Sequence, residues 1–179
     1  FLLTNLITSN IFNQVNFLSL IPLSLTGFAD DFLNISRWFR LVIQLTTSLF
    51  ILFESSSLDL IQNINNFGIE FLLISLLVFI CTGIINFCNF MDGIDGILSG
   101  SILTFYFFSA LIIPNSIWGI IGALIGFLIW NWQPSKIFMG DVGSNFLGGT
   151  LIWIILNTKN LNDSIALLFK NNTIIGWVP

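Results

Sequence analysis

The sequence is poor in the residues that make a protein surface soluble and in those that bind transition metals. Only 8% of its 179 residues are charged, whereas a soluble domain carries about a quarter. It has no histidine and two cysteines, Cys81 and Cys88, seven residues apart in one apolar run. The shortage of charge excludes a surface that faces water throughout. The lack of histidine and further cysteine excludes the usual zinc sites, so we expect two buried free thiols.

Positive charge is also scarce. The chain has five Lys and Arg residues against nine Asp and Glu, a formal net charge of −4. Nucleic-acid binding depends on a basic surface that neutralises phosphates. With so few cations the sequence excludes a nucleic-acid partner.

Apolar residues make up 55% of the chain, and the mean hydropathy is +0.95. They fall into runs of roughly 15 to 22 residues, the length that a bilayer core demands of a helix. We therefore predict an all-α, polytopic transmembrane helix bundle, with residues 1–179 as a single integral membrane domain of about seven complete or partial spans. The predicted apolar segments are 1–8, 15–29, 39–53, 69–88, 97–113, 117–132, 145–157 and a last stretch from 164. The segment 117–132 carries small residues spaced for close helix packing, namely Gly119, Gly122, Ala123 and Gly126.

Two predicted spans separate each of the loops 30–37, 89–96 and 134–143 from the next, so all three loops lie on one side of the membrane. Five of the nine acidic residues fall in these loops, which also hold or adjoin three of the five cations. These residues are Asp30, Asp31, Asp92, Asp95 and Asp141 with Arg37, Arg40 and Lys136. The opposite side carries Lys159, so the positive-inside rule puts the acidic loops in the cytoplasm.

Clustered carboxylates repel one another unless a cation neutralises them. Oxygen ligands and nearby glycines suit Mg²⁺ held together with substrate phosphates, with Mn²⁺ as the alternative ion. Arg40 either binds a phosphate or reaches to the membrane interface. Phe138, beside Gly140 and Asp141, either packs against apolar groups or stacks on a nucleobase. The residues by themselves predict a cytoplasmic magnesium–phosphate site at the membrane surface.

Residues 27–31 (GFADD), 40–44 (RLVIQ), 86–96 (NFCNFMDGIDG) and 136–144 (KIFMGDVGS) together resemble the polyprenyl-phosphate N-acetylhexosamine-1-phosphate transferases of glycosyltransferase family 4. That family also includes the phospho-MurNAc-pentapeptide transferases. The resemblance extends over about residues 20–150 and keeps the order and spacing of the motifs.

The resemblance implies a role for each matching position. The implied catalytic residues are Asp30, Asp31, Asp92 and Asp95, with one of the first two as the proposed base near the lipid phosphate. The implied metal ligands are Asp141, Asp31 and Asp92. The implied substrate-binding residues are Arg40, Asn89, Gly93, Ile94 and Phe138, of which the last three lie near uracil.

The implied reaction moves an N-acetylhexosamine 1-phosphate from a UDP-sugar to undecaprenyl phosphate and releases UMP, which starts a cell-envelope glycan such as O-antigen of lipopolysaccharide. We expect N-acetylglucosamine or a 6-deoxy relative as the sugar, since residues 40–44 and 89–92 look more like the glycan-initiating branch. The alternative is the phospho-MurNAc-pentapeptide transferase of peptidoglycan synthesis. We expect a multi-pass protein of the bacterial inner membrane. A homodimer is a further expectation.

The resemblance also implies spans before residue 1 and a histidine-containing cytoplasmic loop after the last span, so we expect the chain to be a fragment. One other class stays open: a transporter or proton channel, although it would hold its acids in mid-membrane, whereas these lie at span ends. CDP-alcohol transferases need an arginine shortly after their first Asp-Gly, and residues 94–101 contain none. Prenyl synthases of the Asp-Asp-x-x-Asp type fail because Asn34 stands where they need an aspartate. A non-catalytic membrane remnant is the last alternative.

Overall fold

The computed structural model describes residues 17–33, 35–64, 66–112 and 118–156. Within these ranges the regular elements are seven α-helices, and they contain no strand, which confirms the all-α prediction. The helices are α1 Phe17–Leu33, α2 Arg37–Phe53, α3 Ser56–Gln62, α4 Phe67–Met91, α5 Ile97–Ile112, α6 Trp118–Asn131 and α7 Gly140–Leu156. The predictions for residues 1–16, 113–117 and 157–179 lie outside the described residues; they include the first and last apolar segments and Lys159.

One described helix, α4, is long and apolar enough to cross a membrane by length and composition. Its 25 residues span about 38 Å, which exceeds a hydrocarbon core of about 30 Å. Only 22% of its most apolar window is buried, so α4 does not resemble the core helix of a soluble protein. Three shorter apolar helices follow at Ile97–Leu111, Trp118–Asn131 and Gly140–Leu156. The number of spans stays a prediction.

The largest differences from the predicted helix ends are at two places, and both carry acidic residues. The first described span was expected to stop at residue 29, but α1 continues to Leu33 and holds Asp30 and Asp31 in its last turn. The last described span was expected to begin at residue 145, but α7 begins at Gly140 and holds Asp141 in its first turn. Apolar runs end where charge begins, whereas backbone hydrogen bonding continues through a charged turn that water can reach.

Helix α7 lies at the centre of the described part of the fold. It packs chiefly against α1 and α4, while α2 covers both of those helices and α5 pairs with α6. Most of its side chains after the first turn are buried, including the small residues Gly148, Gly149 and Thr150. Small residues let helix backbones approach closely, so α7 can be enclosed by two neighbours at once.

The closest approach lies where α1 crosses the start of α7. A Cβ atom on Gly27 would stand 2.5 Å from the carbonyl carbon and oxygen of Asp141. Real side-chain atoms do not come that near to backbone, so this crossing requires glycine. It brings the acidic end of α1 against the first turn of α7.

Polar pairs and thiols fill part of the interior. Ser48 and Thr82 join α2 to α4 at 3.3 Å, and the Tyr106 hydroxyl pairs with Thr150 between α5 and α7. Cys81 and Cys88 are free and buried, which confirms that prediction.

Among the described residues, the structure shows no close helix packing at the glycines of α6, although the sequence predicted it. Within the described part of the chain, open space faces Gly119, Gly122 and Gly126, so no close contact accounts for them there.

Candidate functional site

Four aspartates from three helices meet at one end of the bundle. Asp30 and Asp31 come from the last turn of α1, Asp92 caps the C-terminus of α4, and Asp141 lies in the first turn of α7. Their charges act on one another: Asp92 interacts with Asp141 and Asp31, and Asp141 interacts with Asp30 and Asp31. The structure thus brings together four of the five acidic residues that topology predicted to share a side.

Arg40, in the first turn of α2, joins two of these carboxylates. Its Nη1 atom lies 2.5 Å from Oδ2 of Asp30 and 3.3 Å from Oδ2 of Asp141. The Asp30 side chain is only 15% exposed, so the pair is shielded from water more than a surface ion pair. Arg40 was predicted to bind phosphate or reach to the interface. In the structure it also holds α1, α2 and α7 together at the acidic end.

Asn89 was predicted to bind substrate, and here it contacts the acidic group itself. Its side-chain amide donates to Oδ1 of Asp141 at 2.8 Å and to Oγ of Ser144 at 3.2 Å. Ser144 is fully buried and donates to the carbonyl oxygen of Gly140 at 3.1 Å. Both oxygens of Asp141 are therefore held, one by Arg40 and one by Asn89. Ser144 was missed as a site residue; its position one turn after Asp141 was the available signal.

Gly140 brings the start of α7 onto Asp92 and Asp31. Its φ is +70°, a conformation that favours glycine, and a Cβ there would lie 3.3 Å from Oδ2 of Asp31. Its N–H donates to the Asp92 carboxylate. Burial raises the pKa of Asp92, and the carboxylates of Asp141 and Asp31 raise that pKa further, although the Gly140 N–H opposes them. The cause of the shift is negative charge crowded into a partly desolvated place.

Asp95, unlike the four clustered aspartates, bonds a residue of the segment between α6 and α7. Its Oδ1 accepts a hydrogen bond from the Ser135 hydroxyl at 2.7 Å, and its Oδ2 accepts one from the Ser135 N–H at 3.3 Å. Ser135 belongs to the segment between α6 and α7, so Asp95 ties that segment to the turn after α4. No pattern in the sequence pointed to Ser135, because the pairing joins residues 40 positions apart.

The predicted nucleobase contacts stand at the surface near these groups. Ile94 in the turn after α4 is 53% exposed, and Phe138 just before α7 is 71% exposed. Gly93 lies beside Ile94, and its N–H donates to the Phe90 carbonyl at 3.3 Å. Their role in binding a base stays a prediction.

A groove of about 410 Å³ adjoins Arg40. Its lining residues are Arg37, Trp38, Arg40, Leu41, Gln44 and Asn86. The Asn86 amide donates to Gln44 Oε1 at 2.9 Å, so the groove offers two guanidinium groups and a pair of carboxamides. An anion with an apolar tail matches this lining in charge and polarity.

The acidic group suits a hard divalent cation in the type of its ligands. Among the residues that the structure describes, no three His, Cys, Asp or Glu side chains are arranged to hold a metal ion by themselves. Mg²⁺ is commonly bound through one or two carboxylates together with substrate phosphates, so a complete protein cage is not needed. Oδ1 of Asn145, one turn after Asp141, is the one buried side-chain atom without a hydrogen-bond partner in the described ranges. Such an oxygen can accept a bond from a ligand or its water.

Comparison with known proteins gives a consistent result. Residues 4–159 match the family described as glycosyl transferase family 4. The chain is 31% identical over 159 residues to a phospho-N-acetylmuramoyl-pentapeptide-transferase of Clostridioides difficile, which covers 75% of the chain and 49% of the relative. It is 31% identical over 195 residues to a protein of the same name from Caldanaerobacter subterraneus, covering 89% of the chain and 59% of the relative. It is 37% identical over 145 residues to a third protein of that name, from Streptococcus pyogenes, which covers 70% of the chain and 43% of the relative.

The chain spans about half the length of the curated relatives that it matches. No solved structure matches it.

Proposed function

Because the chain belongs to glycosyl transferase family 4, we propose that it forms the acidic catalytic region of a membrane enzyme that transfers a phospho-sugar from a uridine nucleotide to a polyprenyl phosphate. The observation that carries the proposal is Arg40, whose guanidinium bridges Asp30 and Asp141 beside the groove. This arrangement supports a site that receives two phosphate-bearing substrates at the end of an apolar helix bundle.

The proposed donor is UDP-N-acetylmuramoyl-pentapeptide, and the proposed acceptor is undecaprenyl phosphate. The relatives bear the name phospho-N-acetylmuramoyl-pentapeptide-transferase. They favour the peptidoglycan alternative over the N-acetylglucosamine donor that the sequence motifs suggested. N-acetylglucosamine 1-phosphate transfer remains the second candidate, because residues 40–44 and 89–92 favour it.

In the proposed reaction an oxygen of the lipid phosphate attacks the β-phosphorus of the nucleotide sugar. A new phosphorus–oxygen bond forms, the bond to the bridging oxygen breaks, and UMP leaves. A phosphate monoester with a second pKa of about 6 is already mostly ionised at pH 7. Positioning of the two phosphates therefore contributes more than removal of a proton.

The groove beside Arg40 is the proposed place for the acceptor phosphate. Arg37 and Arg40 supply positive charge there, and a guanidinium fork matches the oxygens of a phosphate. Asp30, paired with Arg40, fixes the orientation of that guanidinium. Asn89 fixes Asp141 from the other side, so both groups meet the substrates in a set geometry.

One or two of the carboxylates of Asp31, Asp92 and Asp141 would hold Mg²⁺ together with substrate phosphates, since no three such side chains among the described residues form a metal site by themselves. When bound, the ion offsets the negative charge that develops on the diphosphate. Burial is the main cause of the raised pKa of Asp92, and the nearby carboxylates of Asp141 and Asp31 add to it; this crowding of negative charge favours a divalent cation at this place.

We further propose that the apolar helices cross the bacterial inner membrane several times and that the acidic end faces the cytoplasm. The exposed apolar surface of α4 supports a lipid surrounding. Three of the chain's five Lys and Arg residues lie in or beside the acidic loops, and this uneven distribution supports the orientation.

The test uses the full-length protein that contains this chain, in membranes, with undecaprenyl phosphate and Mg²⁺. Three donors are compared: UDP-N-acetylmuramoyl-pentapeptide, UDP-N-acetylglucosamine and a UDP-6-deoxy-N-acetylhexosamine. We expect UMP release and a lipid-linked product with the first donor, at a rate at least about tenfold above the others, a gap of about 1.4 kcal/mol. Preference for the second donor would replace the first candidate by the second. No UMP release with any donor would overturn the transferase proposal.

A further inference from the structure

Gln44 is a polar side chain that the fold encloses almost completely, yet it lines the groove beside Arg40. It lies in α2, four residues after Arg40, and is 5% exposed. Residues four apart lie on the same face of a helix, so Gln44 continues the side of α2 that carries Arg40. It stands about 6 Å farther along the helix from the acidic end. A carboxamide buried at this depth is costly unless its hydrogen bonds are satisfied.

The orientation of the Gln44 amide is set by Asn86 of α4. Nδ2 of Asn86 donates to the Thr82 carbonyl at 3.0 Å and to Oε1 of Gln44 at 2.9 Å. A backbone carbonyl can only accept, so the atom of Asn86 that faces it must be the nitrogen. That nitrogen in turn requires the oxygen of Gln44 as its second acceptor. The amide nitrogen of Gln44, Nε2, is therefore directed away from Asn86.

The nitrogen of Gln44 is an unused donor. Within the described part of the chain, the one side-chain hydrogen bond of Gln44 is the bond that its Oε1 accepts from Asn86, so no described residue accepts from Nε2. Oδ1 of Asn145 is the only buried side-chain atom without a partner in the described ranges. Nε2 of Gln44 is therefore not sealed inside the bundle, and it opens to the groove that Gln44 lines.

The groups around this donor favour an anion. Arg37 and Arg40 line the same groove, and none of the described residues that line it is acidic. Both ion pairs of Arg40 use its Nη1 atom, which leaves its Nη2 and Nε atoms without an ion-pair partner in the described ranges. Phosphate has several acceptor oxygens and suits guanidinium and amide donors together. The apolar part of the lining, Trp38 and Leu41, matches the hydrocarbon that follows a lipid phosphate.

We propose that Gln44 binds the acceptor lipid by donating from Nε2 to an oxygen of its phosphate, beside Arg40. Asn86 is then a positioning residue, because it holds the Gln44 amide in the donating orientation. The inference rests on the proposed function, since it names a further binding residue for the acceptor. It also places that phosphate up to one helical turn away from the acidic end, toward Gln44.

The first test measures KM for each substrate in the full-length protein in membranes. Gln44→Met keeps the length of the side chain and removes both donor hydrogens. The KM for undecaprenyl phosphate is expected to rise about tenfold or more, the effect of losing one hydrogen bond to a charged group. The KM for the nucleotide sugar is expected to stay within about twofold, whereas a general packing defect would change both. Gln62→Met, at the end of α3 and away from the groove, is the matched control and is expected to leave both values unchanged.

The second test changes the orientation of the amide and leaves Gln44 in place. Asn86→Asp replaces the donor by a carboxylate, so Gln44 is expected to turn its nitrogen toward it and its oxygen toward the groove. The KM for undecaprenyl phosphate should then rise about as much as in Gln44→Met. Added to Gln44→Met, the same change should raise that KM by less than about twofold. An effect of the added charge alone would persist in the double variant, and fully additive changes would overturn the positioning role of Asn86.

Binding without turnover separates this inference from the proposed function. Detergent-solubilised full-length protein is titrated with undecaprenyl phosphate and with undecaprenol, which lacks the phosphate, and the melting temperature is followed. Undecaprenyl phosphate is expected to bind wild type about tenfold more tightly than Gln44→Met, and undecaprenol is expected to bind both equally. Wild-type protein that binds undecaprenyl phosphate in this way but releases no UMP would count against the proposed function alone.

Three results would overturn the binding role of Gln44. The first is an acceptor KM in Gln44→Met within about twofold of wild type, and the second is an equal rise of KM for both substrates. The third is the same affinity of wild type and Gln44→Met for undecaprenyl phosphate, including the absence of binding to either.

Discussion

Arg40 and Asp141 form an ion pair across 101 residues of chain, with Nη1 of the arginine 3.3 Å from Oδ2 of the aspartate. The same nitrogen lies 2.5 Å from Oδ2 of Asp30. One guanidinium thus serves two carboxylates, while Asp31 and Asp92 add their charge to the same place. The acidic end therefore carries an excess of negative charge that Arg40 offsets only in part, which is the electrostatic basis for expecting a divalent cation there.

Replacing Asp141 tests the metal assignment. Asp141→Asn keeps the shape and one oxygen but removes the charge, so turnover is expected to fall about 100-fold or more, the usual effect of losing one key electrostatic group. UMP release is followed at increasing Mg²⁺ in the full-length protein. Glu70→Gln, in the first turn of α4 at the other end of that helix, is the matched control and is expected to behave as wild type. Unchanged turnover in Asp141→Asn would remove this residue from the metal site.

Replacing Arg40 tests the shared ion pair and the acceptor groove. Arg40→Lys keeps the charge but loses the planar fork, so it cannot hold two carboxylates and face the groove at once. We expect the KM for undecaprenyl phosphate to rise about tenfold, as for one lost charge-assisted bond. Arg37→Lys, at an exposed position, is the comparison and should change KM by less than about threefold. Equal KM values for Arg40→Lys and wild type would contradict the phosphate role.

Asn89 is expected to matter through Asp141. Asn89→Ala removes the 2.8 Å bond to Oδ1 of Asp141, so the carboxylate can turn away from its bound position. Loss of a group that orients a metal ligand typically costs about 10- to 100-fold in activity or metal affinity. The Mg²⁺ concentration for half-maximal UMP release should rise accordingly.

The control for Asn89 is another asparagine with a purely structural contact. Asn66 caps α4 by accepting from the Gly68 and Ile69 N–H groups. Asn66→Ala should lower the free energy of unfolding by about 1 kcal/mol and leave the Mg²⁺ requirement as it is. The Asn89 prediction is wrong if both variants show the same Mg²⁺ requirement.

Gly27→Ala tests the helix crossing that forms the site. The added Cβ would stand 2.5 Å from backbone atoms of Asp141, so α1 and α7 must move apart. We expect a loss of about 1 to 3 kcal/mol, as for other overpacked sites, seen as a lower melting temperature of the detergent-solubilised protein. Gly122→Ala, which faces open space in the described part of the fold, should show no such loss. A Gly27→Ala protein as stable as wild type would contradict the close crossing.

The sequence predicted the gathering of the acidic residues because the apolar runs could be counted. Two runs between successive acidic loops return the chain to the same side, and this holds without knowledge of how the helices pack. The structure accordingly brings Asp30, Asp31, Asp92 and Asp141 together. The same counting could not separate Asp95, which lies three residues from Asp92 but bonds Ser135.

The prediction of the donor sugar from the sequence rested on two short segments, which are too short to separate the two branches of the family. Residues 40–44 and 89–92 favoured a glycan-initiating enzyme, whereas the relatives, compared over 145 to 195 residues, bear the name of the peptidoglycan enzyme. Both branches handle the same phosphates, so a few residues near the phosphates separate them poorly.

The sequence alone was enough to predict that the chain is helical, that its surface is suited to lipid, and that carboxylates from distant motifs share one end. These properties follow from the composition, from the length of the apolar runs and from the number of runs between acidic loops. Each can be read from the sequence without knowing how the helices pack. The packed fold was needed to show that Arg40 bridges Asp30 and Asp141. It was also needed to show that Asn89 donates to Asp141 and that Asp95 accepts from Ser135. Helices that are apolar on nearly every side carry no pattern that fixes their rotation. Their partners are therefore decided where backbones meet, at contacts such as Gly27 against Asp141.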